Sequence, residues 1–151
     1  MDSAGFEPDS LKPLPALLRG ARATFGSVIR RRLDAAGYDD VPPNGLFVLG
    51  AIGEGSTPLA DVIAALGVSK QTVGALVDSL VVRGYLDRRA DPVDRRRIVV
   101  SLSDRGAGAA AVIRRTVSEI EASLDARVGS DAVAHTRVAL AALTAMGGED
   151  G

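Results

Sequence analysis

Two short stretches of this 151-residue chain gather side chains able to do chemistry, and both offer cations and hydrogen-bonding groups rather than nucleophiles. The stretch Asp91 to Leu102, DPVDRRRIVVSL, sets Arg95, Arg96 and Arg97 side by side behind Asp91 and Asp94, then runs into β-branched residues. Three adjacent guanidiniums repel one another unless a polyanion or well-placed carboxylates relieve them. Asp94 is placed to hold one guanidinium, that of Arg96, through a charge-assisted bond. The second stretch, Ser69-Lys70-Gln71-Thr72, presents four consecutive hydrogen-bonding side chains. In a major groove Gln pairs bidentately with adenine, Lys reaches guanine or phosphate, and Ser or Thr serves either base or backbone. Gly74 and Ala75 follow, small enough to let a helix come close to base edges and thymine methyls.

Other chemistry has little material to work with. Cysteine is absent, which rules out disulfides, thiolate catalysis and thiol redox sensing. The single histidine, His135, lies between Ala134 and Thr136 on a helical stretch and reads as a surface or interface residue. With one histidine and no cysteine, a transition-metal site would need carboxylates alone, so neither a metal nor a cofactor is expected. Glu119 and Glu121, two apart on a helix, face different ways and make no acid–base pair. The segment GEGST lacks the lysine and the preceding strand of a phosphate loop. An enzyme is not expected.

Charge distribution supports a polyanionic partner where total charge does not. The chain has 18 basic and 19 acidic residues, a net charge of −1. Residues 69–97 carry 7 basic against 4 acidic side chains, a local +3, while the flanks on either side each sum to −2. The opening MDSAGFEPDSLKPLP has no basic n-region and no apolar h-region. No run approaches the roughly 18 apolar residues of a membrane span. The chain is read as cytoplasmic, soluble and without a membrane partner.

The elements that must position these residues follow from periodicity. Residues 1–10 are polar, contain Pro8 and are expected to be disordered, leaving residues 11–151 as one domain. From Leu11 to about Ala36, Leu14, Leu18, Ala21, Phe25, Val28 and Leu33 make one apolar helical stripe, with Pro13 and Pro15 tolerated only at its start. After the loop Asp39–Pro43, residues 44–52 form a short apolar helix. Thr57-Pro58 predicts the next helix start, with Thr57 as cap and Pro58 in the first helical position. That helix ends at Gly67. Ser69 caps a further helix from Lys70 to about Arg83, closed by Gly84. Tyr85–Arg89 and Ile98–Leu102 read as two strands joined by the arginine loop. Ser103 caps a long helix from Asp104 to about Val128, where Ala110, Ile113, Val117, Ile120, Leu124 and Val128 recur at near-heptad spacing. Gly129 breaks it, and a last helix runs to Met146.

The centre of this order is a helix-turn-helix. Val68, Val73 and Leu76 follow Gly67 so as to pack the turn, and Val73, Leu76, Val77 and Leu80 form the inward face of the second helix. The residue four before the turn glycine, where a small side chain eases helix approach, is Ile63, so either the crossing widens or Ala64 fills the contact. A hairpin tipped by arginines directly after a recognition helix is a wing, placed to meet the minor groove or its flanking phosphates. Arg88, at the root of the hairpin, joins the candidate DNA contacts.

The segment LGVSKQTVGALVDSLVVRGYLDRRADPVDRRRIVVSLSDRG resembles the core of the MarR family of bacterial regulators. The join RGYLDRR, the wing motif DPVDRR with Asp94 and Arg96, and the exit VSLSDRG match in order and spacing. Ser103 stands where Thr is usual, and Arg97 replaces a commonly small residue. The resemblance implies a mostly α fold with a small β-hairpin wing. It places a winged helix-turn-helix core at about 44–103 between long dimerisation helices at about 11–36 and 104–147. It implies a homodimer that binds a pseudopalindromic double-stranded operator and represses, possible release by a small-molecule effector being part of the pattern. The residues support the dimer separately, since the terminal helices carry more leucine, isoleucine and valine than one small winged domain can cover. The alternatives are a monomer with back-folded terminal helices, and a winged-helix protein-interaction module without DNA binding. The latter would show an acidic or apolar recognition surface, unlike this one.

Overall fold

The computed structural model describes residues 12–149, so the segment expected to be disordered, residues 1–10, lies outside it. The order is α1 (Leu14–Ala35), α2 (Gly45–Ala51), β1 (Thr57–Pro58), α3 (Leu59–Leu66), α4 (Lys70–Val82), β2 (Leu86–Ala90), β3 (Ile98–Leu102), α5 (Asp104–Val128) and α6 (Ser130–Glu149). The fold is mostly helical with a small antiparallel sheet, a winged helix between long flanking helices. No single helix among the described residues is long and apolar enough to cross a membrane.

The structure departs from expectation at Thr57-Pro58. These residues do not open a helix; they form β1, with Thr57 opposite Val100 and Pro58 opposite Val99. Helix α3 begins at Leu59 with no side-chain cap. An edge strand tolerates a proline because one of its sides has no ladder to serve. The sheet is therefore three-stranded, in the order β1-β3-β2, with β3 in the middle. Strand β2 also starts one residue late, because the N–H of Tyr85 is taken by Leu80 O at 2.9 Å. Helix α6 continues past Met146 to Glu149.

One core joins all layers. Ile29 and Leu33 of α1, Leu46, Val48 and Leu49 of α2, Val62 of α3, Val73, Val77 and Leu80 of α4, Val100 of β3, and Ala109 and Ile113 of α5 pack in a single cluster. Of the flanking helices, α1 and α5 enter it with one half each, and among the described residues α6 adds none to it. Leu14 and Leu17 at the start of α1, and Leu124 and Val128 at the end of α5, lie exposed. Helix α6 exposes Val138, Leu140, Leu143 and Met146.

Two helices end the same way, and their ends meet. In DAAGYDD and VVRGYLD, Gly37 and Gly84 take positive φ of 88° and 81°. The following tyrosine N–H then reaches back to the helix, Tyr38 to Leu33 O and Tyr85 to Leu80 O, each at 2.9 Å. Both are Schellman endings, which satisfy carbonyls a bare helix end leaves open. The two tyrosine rings lie 6.2 Å apart. The Tyr85 hydroxyl donates to Asp40 Oδ1, which also accepts from Arg105 Nη2 at 2.9 Å.

Burial, reinforced by the bond to Asp40, pushes the Tyr85 hydroxyl up to about 12, while that same bond, followed by the Arg105 charge, holds Asp40 below the usual carboxylate value. A group raised in the folded state favours folding while it is protonated. Its contribution is whole below the ordinary tyrosine value of 10.0 and is lost as pH climbs toward 12. Wild type should therefore lose more stability over that interval than Tyr85→Phe does, as read by denaturant midpoints. Parallel losses in the two proteins would contradict the assignment.

Candidate nucleic-acid interface

Helices α3 and α4 meet at 117° across a short turn, within the range of helix-turn-helix units. Gly67 makes the turn possible: it sits at φ +62°, and its N–H bonds to Ile63 O at 3.2 Å. The inner contact differs from the two expected alternatives. Val62, fully buried, fills it, while Ala64 is exposed and Ile63 is half-buried on the side toward the wing. Val68 does not pack the turn; it is 42% exposed, and Val73 alone of that pair goes inward. On α4, Val73, Val77 and Leu80 are buried and Leu76 half-buried.

The outer face of α4 starts with the polar turn. Ser69 caps the helix as expected, its Oγ accepting from the Thr72 N–H at 3.2 Å and pairing with Thr72 Oγ1 at 2.8 Å. Ser69 and Thr72 thus satisfy one another. Lys70 and Gln71 are exposed, with no partner among the described residues. Ala75 is exposed and Gly74 half-buried. A Cβ built on Gly74 would meet nothing within 4 Å. Glycine inside a helix costs about 1 kcal/mol against alanine, and neither packing nor a special φ within the chain requires it here.

The wing tip is built by two aspartates acting on backbone. Asp91 Oδ1 accepts from Val93 N–H at 2.9 Å and Asp94 Oδ1 from Arg96 N–H at 3.1 Å. The Arg97 N–H then bonds to Asp94 O at 2.9 Å, and Asp91 N–H to Arg97 O at 2.8 Å. Asp94 therefore does not hold the Arg96 guanidinium, as expected, but its peptide N–H. The carboxylate lies two residues from that N–H, where an Asx turn forms at no conformational cost to the long arginine side chain. Arg95, Arg96 and Arg97 are all exposed.

The structure brings four of the candidate cations to one place. Lys70, Arg88, Arg96 and Arg97 line a cleft of about 630 Å³ between the wing and the starts of α3 and α4, with Leu59, Ile63 and Ile98 among its apolar lining. Arg88 is held there by an ion pair with Asp78 of α4. Arg95 stands outside this group. With Arg88 compensated by Asp78, the repulsion among Lys70, Arg96 and Arg97 in one cleft favours any anion that enters it.

Three further residues were invisible to pattern reading. Arg89 on β2 donates to Ser56 Oγ at 2.7 Å and so ties the wing to the segment before β1. On the opposite flank of α4, Arg22 and Asn44 share a small cavity with Thr72 and Leu76. The Arg22 guanidinium lies 3.8 Å from the Phe47 ring centroid, a cation–π contact. Their positions on α1 and α2 are set by tertiary packing, and no local spacing signals it.

Comparison with known proteins agrees with this geometry. Residues 39–97 match the model of the MarR family. No curated protein sequence matches the chain. Among solved structures, BpsR of Bordetella bronchiseptica, from work on regulation of its DNA binding by 6-hydroxynicotinic acid, is 21% identical, with a TM-score of 0.68 over 88% of this chain and 94% of that one. CouR of Rhodococcus jostii bound to p-coumaroyl-CoA is 20% identical, with a TM-score of 0.71 over 88% of this chain and 92% of that one. A mutant MarR of E. coli in complex with operator DNA is 20% identical, with a TM-score of 0.65 over 87% of this chain and 93% of that one. At such identities these likenesses establish the shared fold. Residues 39–97 are thus similar to the MarR family, and the chain shares the fold of these solved structures.

Proposed function

We propose that the chain is a sequence-specific regulator of transcription that binds double-stranded DNA as a homodimer on a pseudopalindromic operator and represses by occupying it. The observation that carries this reading is the recognition turn of α4 beside the four-cation cleft: Gln71 and Lys70 exposed, Gly74 facing open space, and Lys70, Arg88, Arg96 and Arg97 together. Base-edge readers flanked by phosphate-binding cations are the two halves of groove recognition. The operator complex of the E. coli MarR mutant has this fold.

The dimer is supported by uncovered apolar surface. Burying a leucine, valine or methionine contributes about 1.5–3 kcal/mol, yet α6 leaves Val138 at 69% and Met146 at 61% exposure. The exposed ends of α1 and α5 add Leu14, Leu17, Leu124 and Val128. A two-fold partner covers these faces and sets two recognition helices roughly 34–36 Å apart. Light scattering at micromolar concentration should give twice the 15.5 kDa of one chain; the mass of a single chain would refute the dimer.

Release by a small organic acid fits a second cleft. Between α1 and α2, about 410 Å³ is lined by Arg19, Arg22 and Arg30 over Ala23, Leu46 and Phe47. That is the size of a small-ligand pocket, with cations for a carboxylate and an apolar floor for its body.

Selection of bound genomic fragments by the purified protein tests the function directly. One recurrent inverted repeat is the expected outcome, and no enrichment would overturn the reading. Gln71→Ala should then relax preference at one base pair per half-site, by about 1–3 kcal/mol. Thr72→Ala should act more weakly on base preference, because Thr72 is already engaged with Ser69. Equal weakening of Gln71→Ala on operator and random DNA would show that Gln71 touches only backbone.

A further inference from the structure

We propose that Arg105 is a positioning residue for DNA recognition: it locks the end of the recognition helix α4 to the first turn of α5, and so sets the half-site spacing that the dimer accepts. The proposal rests on the dimeric DNA-binding reading above.

Three consecutive carbonyls just past α4, those of Arg83, Gly84 and Tyr85, are each taken by the start of α5. Arg105 Nη1 donates to Arg83 O. Ser103 Oγ donates to Gly84 O at 2.6 Å, and Ser103 N–H to Tyr85 O at 3.0 Å. The other arm of Arg105, Nη2, holds Asp40 Oδ1 at 2.9 Å, and Tyr85 donates its hydroxyl to the same oxygen. The Arg105 guanidinium lies 4.3 Å from the Tyr85 ring centroid. One side chain therefore grips the end of α4, the loop after α1 and the tyrosine between them. Beside it, a Cβ on Gly106 would stand 1.9 Å from Tyr85 O. The joint leaves no slack.

The far half of α5 carries Leu124 and Val128 into the proposed dimer face, so α5 is the lever between the two-fold axis and the recognition helix. At about 1.5 Å per residue a helix of 25 residues is roughly 37 Å long. A tilt of about 5° at its first turn displaces the recognition helix by roughly 3 Å, close to the rise of one base pair. Loosening the joint thus costs spacing discrimination before it costs contacts. Stability should change little, since the Arg105–Asp40 ion pair is partly exposed, at 40% and 38%.

The test uses full-length protein and duplexes carrying the half-sites that wild type selects, with centre-to-centre spacing varied by one base pair at a time. Wild type should prefer one spacing over its neighbours by about tenfold, since a wrong spacing must be met by twisting the DNA. Arg105→Ala should bind the three spacings within about twofold of one another, with its thermal midpoint and single-half-site affinity unchanged. Arg105→Lys keeps the charge but not the two-armed grip, and should also be broadened. Retained discrimination in Arg105→Ala overturns the proposal. So does an equal loss at every spacing with a lowered midpoint, which marks a merely structural residue. A wild type that selects no paired half-sites overturns the DNA-binding reading itself.

Discussion

Arg96→Ala should lower operator affinity by about 100-fold and leave the thermal midpoint where it was. Arg96 is exposed at the wing tip and lines the cationic cleft with Lys70, Arg88 and Arg97, so its removal opens no cavity. A hydrogen bond to a charged group contributes about 1.5–3 kcal/mol, and the proposed two-fold dimer would lose it at both wings. At about 1.4 kcal/mol per factor of ten, the lower end of that range already gives the 100-fold. The slope of affinity against salt should fall by about one counterion per lost phosphate contact at each wing. Asp94→Ala should weaken binding too, by a smaller factor, although deleting an acid ordinarily favours DNA. Its carboxylate holds the Arg96 N–H at 3.1 Å and thereby shapes the turn from which Arg96 projects. Titration of both variants on operator DNA checks the pair. Tighter binding by Asp94→Ala together with unchanged binding by Arg96→Ala would show a loop that is basic but not positioned.

Gly106→Ala should cost roughly 3 kcal/mol of folding stability, the upper end of overpacking costs. Its Cβ would lie 1.9 Å from Tyr85 O and 2.9 Å from Tyr85 C, and backbone cannot rotate away as a side chain can. The Tyr85 carbonyl is further pinned by the Ser103 N–H at 3.0 Å. Denaturant unfolding of Gly106→Ala against Gly74→Ala provides the control. A Cβ at Gly74 meets nothing within 4 Å, so Gly74→Ala should keep or gain stability while weakening operator binding. Equal stability for wild type and Gly106→Ala would refute the close approach of α5 to Tyr85.

Much of this was legible in residue order because it rests on short-range physics. Gly67 and Ser69 declare a turn and a cap four and three residues from the groups they serve. The inward positions of α4 follow from 3.6-residue periodicity alone. The arginine tip between two strands needs only its neighbours to be read as a wing, and Arg95, Arg96 and Arg97 are indeed exposed there. Excess apolar residues on the terminal helices likewise follow from composition, and the structure leaves Leu14, Leu124 and Met146 uncovered.

Tertiary structure decided what depends on distant partners. Thr57-Pro58 has the local chemistry of a helix start, yet it becomes a strand because Val99 and Val100 offer a ladder about forty residues on. Asp94 has an arginine two residues away, and only the folded turn decides between its guanidinium and its peptide N–H. Arg105 meets Asp40 across 65 residues and Tyr85 meets Asp40 across 45, separations at which sequence spacing carries no geometric information. Gly106 belongs to the same class: nothing in its helix asks for glycine, and the carbonyl of Tyr85 does. Residue order thus determined the helices, the two wing strands and where charge gathers, because caps, turns and periodicity act within a helical turn or two. Packing decided how α4 is held against α5 and which cations share a cleft, because those contacts exist only once the chain has closed on itself.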